Sequence, residues 1–274
     1  MKIQIGFSPC PNDTFIFDAL LHGKIDTEGL EFEAILADVE SLNNMAFEGK
    51  LNFTKLSFGT FAQVQDKYLL LNSGAALGRG CGPMLIYKND FEEKNLSTLI
   101  IGIPGKHTTA NFLCNMAFPQ AQNKKEMLFS DIENALLKDE IDLGLIIHES
   151  RFTYQEKGLK KFMDLGDYWE NQTASPIPLG GIFAKNTLAI QTIVQVEKLI
   201  KKSIEFAFAN PNSSMDYVLK HSQGMSREVV KKHIDLYVNN FSLELGEEGK
   251  LAVEQLLELI DGSRLNLGPI NKKV

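Results

Sequence analysis

The chain is poor in the features that mark several protein classes. Of 274 residues only three are cysteine: Cys10, Cys81 and Cys114. Their odd number and wide spacing fit neither a disulfide framework nor a zinc pattern, so small buried or cleft-lining thiols are expected. A basic surplus is also missing: 35 acidic residues outnumber 28 Lys and Arg, leaving a net charge of -7. A nucleic-acid binder would carry a basic stripe or arm, and Lys272-Lys273 is too short to be one. No segment reaches the roughly 18 consecutive apolar residues of a membrane helix. The apolar start is broken by Gln4 and stops at Pro9, too soon for a signal peptide. These absences predict a soluble, cytoplasmic protein with no nucleic-acid and no membrane partner. Internal repeats and low-complexity linkers are absent as well.

The composition, 44% hydrophobic and 23% charged, supports a substantial core and excludes disorder. Strand and helix patterns alternate from the start. Ile3 to Phe7 reads as a strand. Pro9 and Pro11 break it, and Asn12 or Asp13 can cap a helix through Leu21. Leu30 to Ile35 alternates like a half-buried strand, and Asp38 caps a helix that Gly49 ends. Phe53 to Leu56 and Leu69 to Leu71 follow as apolar runs, with a short helix around Phe61 to Val64 between them. Met84 to Tyr87 reads as a strand, with a turn at Asn89-Asp90.

The alternation then restarts. Strands are expected at Leu99 to Ile103, Met127 to Phe129, Leu143 to Ile147 and Leu179 to Ala184. Helices are expected at His107 to Ala117 and Asp131 to Leu137. From Thr187 onward the pattern is helical. Pro211 is placed in a first turn, Ser226 caps a third helix, and Gly249 lies in or before a fourth. Such alternation predicts an α/β protein with parallel sheets in two lobes, the C-terminal helices returning to the first. Ligands of such sheets bind beyond the carboxyl ends of strands, here expected in the interlobe cleft.

The candidate residues follow strand ends. Gly105 to Ala110 bends into a helix, where free backbone N–H groups, the helix dipole and Thr hydroxyls offer an anion seat. It is not a P-loop: Gly102 and Gly105 are too close, and His107 separates Lys106 from Thr108. Ordinary capping by Thr accounts for the segment equally well. Gly78-Arg79-Gly80-Cys81-Gly82 runs into Pro83 and a strand, so close backbone approach to a ligand, or hinge freedom, suits it better than dinucleotide binding. Lys55, Arg79, Lys106 and Arg151 lie in these segments of an acidic chain and could focus an anion, although solvated surface charge is the plainer account.

His148 is the strongest single candidate, because it ends an apolar run and imidazole exchanges protons near neutral pH. A lone His is nevertheless more often structural. Glu149 points away from it and reads as an orienter or scaffold partner. Phe152 stands where H-E-x-x-H would need its second His, which removes the zinc-protease pattern. His22, His107, His221 and His233 carry weaker signals, the last two without a polar cluster. No Ser sits in a G-x-S-x-G elbow.

Taken in order, several segments resemble the menaquinone-biosynthesis family of 1,4-dihydroxy-6-naphthoate synthases. They are Ser8 to Phe15 (Ser-Pro-Cys-Pro-Asn-Asp-Thr-Phe), Thr54 to Ser57, Ala76 to Pro83, His107 to Ala110, Gly144 to Tyr154 and Pro178 to Gly180. Tyr237 to Asn239 with Phe241-Ser242 extends the likeness toward the C-terminus. Each motif alone is weak; the ordered set is specific and covers nearly the whole chain. The resemblance implies a two-lobed type II periplasmic-binding-protein-like fold with an interlobe cleft. Its crossovers would lie near Lys88-Asn89 and Lys185, giving a large lobe of 1–88 plus 185–274 and a small lobe of 89–184.

The resemblance further implies conversion of cyclic dehypoxanthine futalosine to 1,4-dihydroxy-6-naphthoate, with release of the ribose-derived part and no metal or organic cofactor. The partner is then a small anionic substrate. The family's proton-accepting histidine matches His148. Its substrate contacts match Lys55, Leu56 and Ser57, and Thr109 and Ala110; Thr108 at the helix start and Asn12 in the first motif complete the candidate set. Two alternatives remain open. One is a non-catalytic solute-binding protein, which the fold permits. The other is a chorismate dehydratase of the sister family, against which the first motif and Ile146-Ile147-His148-Glu149 speak.

Overall fold

The structure is a computed structural model that describes residues 2–89, 96–222 and 224–265. The chain divides into two units, one of Met1–Gly78 with Pro178–Val274 and one of Arg79–Ile177. Asp90 of the expected turn and the Lys272-Lys273 pair lie outside the described residues.

The first unit opens with β1 (Lys2–Phe7), α1 (Pro11–Leu21), β2 (Glu31–Leu36), α2 (Val39–Phe47), β3 (Phe53–Ser57), α3 (Phe58–Val64), β4 (Tyr68–Leu70) and β5 (Ala76–Gly78). Strand β1 runs parallel to β2 from Lys2↔Glu31 to Phe7↔Leu36, and parallel to β3 at Ile5↔Phe53. As expected, Asp38 caps α2, accepting from the Glu40 and Ser41 amides at 3.0 Å each. Helix α1 departs from expectation. Its cap residue is Cys10, with Pro11 at the first position and no side-chain cap bond. Asn12 and Asp13 lie inside the helix, where their side chains serve another purpose.

The second unit holds β6 (Met84–Tyr87), β7 (Ile101–Ile103), α4 (Thr109–Ala117), β8 (Lys124–Glu126), α5 (Ile132–Leu137), β9 (Leu143–Ile146), α6 (Ser150–Thr153), β10 (Lys160–Asp164) and α7 (Leu165–Thr173). Its sheet order is β10-β6-β9-β7-β8. The expected strand at Met127 to Phe129 is replaced by β8 three residues earlier, and Phe129–Asp131 forms a 3-10 turn. Strand β8 pairs with β7 at one end of that order, and its Lys-Lys-Glu sequence suits an edge. β10 and α7 carry no signal in the apolar pattern, since β10 is a charged strand at the other end.

The chain returns through β11 (Ile177–Lys185) and continues as α8 (Ile190–Ala209), α9 (Met215–His221), α10 (Arg227–Tyr237), α11 (Asn240–Leu243) and α12 (Gly246–Asp261). Pro211 lies in a turn four residues before α9, rather than in that helix's first turn. The first sheet has the order β2-β1-β3-β11-β4, with β5 paired to β11. Its core joins Ile3, Ile5 and Phe7 of β1 and Phe17 of α1 to Ile193, Leu199 and Ile204 of α8 and Val230 of α10. Each such side chain contributes about 2 kcal/mol on burial, which explains why the C-terminal helices return to this sheet.

Two expectations are corrected by strand direction. Neither sheet is wholly parallel: β11 is antiparallel to β3 and β4, and β6 is antiparallel to β9 and β10. A parallel neighbour needs a crossover within the same sheet. β6 and β11 are the strands that follow a change of unit, and neither has one. The same pairing moves the unit boundaries from 88 and 185 to 78 and 177, because β6 belongs to the second sheet and β11 to the first.

Candidate active site

In the first unit, the loop that leaves β1, the start of α1 and strand β3 meet around one carboxylate. Asp13 Oδ2 accepts from the Ser8 amide at 3.1 Å and the Ser8 hydroxyl at 2.7 Å. Asp13 Oδ1 accepts from Asn12 Nδ2 at 2.8 Å and from Lys55 Nζ at 3.1 Å. Lys55 donates a second bond to the Gly74 carbonyl at 3.0 Å. Gly74 has φ +94, and a Cβ there would meet Ile182 at 2.0 Å, so only glycine lets this carbonyl turn toward the lysine.

Ser57 is tied in beside Lys55. Its amide donates to Asn43 Oδ1 at 3.2 Å, and its hydroxyl lies 3.1 Å from the Thr60 hydroxyl. Leu56 between them is fully buried, so its side chain serves the core and its backbone pairs with Gly181 of β11. Of the expected contacts in this unit, the structure therefore brings Asn12 and Lys55 together on Asp13 and places Ser57 two residues along the same strand.

Sequence reasoning misses Asp13 itself, because its position after Pro11 resembles a capping residue. It misses His233 too. That ring is fully buried, and its Nε2 lies 2.9 Å from Asn12 Oδ1 across 221 residues of sequence. The reading of His233 as lacking a polar cluster is thus corrected. The late motif residues brace the same region. Asn239 donates to the Leu77 carbonyl at 2.9 Å and Ser242 to the Ala75 carbonyl at 2.8 Å. They hold the segment that carries Gly74.

In the second unit, β7 and β9 are parallel neighbours, so the chain leaving each passes the same end of the sheet. After β7 comes Gly105, then Thr108 as the cap of α4. The Thr108 hydroxyl accepts from the Asn111 amide at 3.1 Å and donates to the Gly105 carbonyl at 2.8 Å. Thr108, Thr109 and Ala110 are all buried. The helix starts at Thr109 rather than at His107, which lies in the preceding turn.

After β9 comes His148, which adopts φ +58. For a residue with a Cβ this left-handed conformation costs about 1–2 kcal/mol, and such strain concentrates at functional sites. Its ring stands edge-on to Phe129 with 5.1 Å between centroids. Next to it, half-buried Glu149 feels the charges of Glu133 and Lys157. Glu133 Oε2 accepts from the Ser150 hydroxyl at 3.1 Å and from Lys157 Nζ at 2.9 Å. Glu133 Oε1 and Glu149 Oε2 are buried with no hydrogen-bond partner. Burial, reinforced by the charge of Glu133, pushes the Glu149 carboxyl above the usual carboxylate range, while Lys157 pulls the other way.

The model of the menaquinone-biosynthesis family matches residues 3–261 of the chain. A 1,4-dihydroxy-6-naphthoate synthase of Thermus thermophilus is 44% identical over 254 residues, covering 93% of this chain and 92% of that protein. The chain belongs to this family. A crystal structure of a protein from Archaeoglobus fulgidus matches with 37% identity and a TM-score of 0.87, over 94% of this chain and 96% of that one. The fold is wider than the synthase family. The periplasmic aliphatic sulphonate binding protein of Escherichia coli shares it at 14% identity and a TM-score of 0.62, covering 94% and 86% of the two chains. The periplasmic-binding-protein-like architecture implied by the motifs is therefore the observed one.

Other features of this synthase-family chain resolve as framework. Arg79 faces Glu170 at 3.8 Å, and Arg151 pairs with Asp164 at 3.1 Å. With Lys55 on Asp13, three of the four cations read as anion-focusing already face an acid of their own. In the glycine-rich segment, a Cβ on Gly82 would lie 2.3 Å from the backbone of Gly166 at the start of α7, so this glycine serves packing within the second unit. All three cysteines are buried, and burial pushes the Cys81 thiol up to about 12, too high for a nucleophile at neutral pH. Among the described residues, no group of three or more His, Cys, Asp and Glu could hold a metal ion. No described helix is long and apolar enough to cross a membrane.

Proposed function

We propose that this protein converts cyclic dehypoxanthine futalosine to 1,4-dihydroxy-6-naphthoate in the cytoplasm, with His148 as the proton acceptor. The observation that carries the reading is His148 itself: a strained, half-buried histidine at the end of a buried strand, within the motif that matches the family's histidine. A base takes a proton so that a carbon–carbon bond can break, the ribose-derived part can leave and the ring can become aromatic. An imidazole shielded from bulk water suits that step. Phe129 along one edge of the ring limits the positions it can take.

Lys55, Leu56 and Ser57 in the first unit and Thr108, Thr109 and Ala110 in the second are the proposed substrate contacts. Leu56 contributes through its place in the strand. Asn12, the remaining candidate, has its amide committed to Asp13 on one side and His233 on the other, and supports Lys55 through Asp13. The first turn of α4 suits a carboxylate or sugar hydroxyls, because backbone N–H groups there lack partners within the helix.

The test is His148→Ala, with circular dichroism to confirm the fold and chromatography to follow naphthoate. Loss of nearly all turnover is expected, and near-normal turnover refutes the assignment. The fold shared with a sulphonate-binding protein favours a second reading, a non-catalytic solute binder. Incubation with the cyclic futalosine separates the two, since a binder returns it unchanged. Chorismate supplied in its place tests for the sister activity and is expected to stay intact.

A further inference from the structure

The bond between His233 and Asn12 has a fixed direction. Asn12 Nδ2 lies 2.8 Å from Asp13 Oδ1, and a carboxylate only accepts, so the amide nitrogen must face Asp13. The amide oxygen then faces His233, whose Nε2 at 2.9 Å must carry a hydrogen. The ring is held in place by packing against Tyr237, with 4.6 Å between centroids. A line of hydrogen bonds thus runs from α10 through Asn12 to Asp13, and ends on Lys55.

Lys55 is an unusual lysine. Its side chain is 9% exposed, and its ammonium is held twice, by Asp13 at 3.1 Å and by the Gly74 carbonyl at 3.0 Å. An ammonium has three N–H donors on a tetrahedral nitrogen. Two anchored donors set the direction of the third. A lysine is ordinarily a mobile point charge; here it becomes an aimed hydrogen-bond donor with most of its rotamer entropy already lost.

We propose that His233 is a positioning residue which, through Asn12 and Asp13, aims the third Lys55 N–H at an oxygen of the bound substrate. The proposal rests on the reading of Lys55 as a substrate contact. Asn12 then acts through Asp13 and does not itself touch the substrate. His233 never meets the reacting atoms; it keeps the Asn12 amide from rotating and turning its oxygen against the Asp13 carboxylate. Freed from that restraint, Asp13 and Lys55 lose their common geometry.

Two measurements on the full chain test this. In protein labelled with 15N-lysine, the Lys55 ammonium gives a signal protected from exchange with water, identified by its loss in Lys55→Met. His233→Leu, which keeps bulk and removes the donor, is expected to shift and broaden that signal; an unchanged signal overturns the relay. For turnover of the cyclic futalosine, His233→Leu is expected to raise KM about tenfold, the size of one net hydrogen bond, with kcat within about threefold. His233→Gln restores an N–H donor and is expected to bring KM back to within about threefold of the parent.

A KM that does not move in His233→Leu, or a rise that His233→Gln fails to rescue, overturns the positioning role. Failure of the underlying reading looks different: Lys55→Met then leaves KM unchanged while the ammonium signal still responds to His233→Leu, which overturns the substrate role and keeps the relay. Should His233→Leu not fold, Asn12→Ala breaks the next link and carries the same two expectations.

Discussion

Asp13 in the first unit and Glu149 in the second are both acids withdrawn from water, and their surroundings differ. Asp13 receives four donors, two from Ser8, one from Asn12 and one from Lys55. Glu149 has a buried oxygen without a partner, and it feels the like charge of Glu133. The Asp13 carboxylate is fully hydrogen-bonded, which suits an element that holds its neighbours in one orientation. The second cluster stores free energy in a left-handed histidine and a disfavoured carboxylate. A binding element gains from rigidity and full satisfaction, whereas strain is tolerated where chemistry is done. On the proposed reading, the first cluster takes the holding role and the second carries the base.

The largest effect that would break this division is at His148. His148→Ala should lower kcat by about a thousandfold with little change in KM, as measured in steady-state turnover. A change confined to KM would move His148 to the holding side. Asp13→Ala is expected to cost about 3–5 kcal/mol in urea denaturation, because it strands the Lys55 ammonium in the interior. A loss below about 1 kcal/mol would mean that Lys55 escapes to water, and that the first cluster is not preorganised.

Gly82→Ala asks whether the frame of the second unit lies in backbone packing. Its new Cβ would strike the backbone of Gly166, and a loss of about 3 kcal/mol is expected by the same method. Thr108→Ala removes the cap of α4 and should cost about 1 kcal/mol. The smallest effect is the most diagnostic of the strained cluster. A carboxyl whose folded pKa is raised holds its proton more tightly in the folded state. Its stability contribution is complete below the ordinary carboxylate range and is lost as pH rises through the folded value. Glu149→Gln removes that loss. Its melting temperature should match the parent near about pH 4 and exceed it increasingly toward about pH 8. Equal melting temperatures at both ends would show Glu149 to be as well satisfied as Asp13.

Parts of both clusters are legible in the sequence. Ser57 stands out because an apolar strand ends there, Lys55 through its charge and the family motif Thr54 to Ser57, and His148 because the run from Leu143 ends beside it. Thr108 shows itself as a cap. Asp13 is visible but misassigned, since a carboxylate after a proline looks the same whether it caps a helix or accepts a lysine. Glu133 and His233 are not legible. Each sits on an amphipathic helix, and only the arrival of Ser150 and Lys157, or of Asn12, turns a buried polar side chain into a member of a site. The strained φ of His148 leaves no mark either, because nothing local distinguishes it from a residue in an ordinary turn.

By itself the sequence determined the strand and helix alternation, most caps, the placement of the C-terminal helices and, through ordered motifs, the family. These depend on periodicity and on contacts within a few residues, which one-dimensional order preserves. Tertiary structure alone decided that β6 and β11 run antiparallel, that the units divide at 78 and 177, and that His233 reaches Asn12. Strand direction and buried hydrogen bonds are chosen by closure of the chain over long separations. The free energy of a polar group then depends on which distant donor or acceptor arrives beside it.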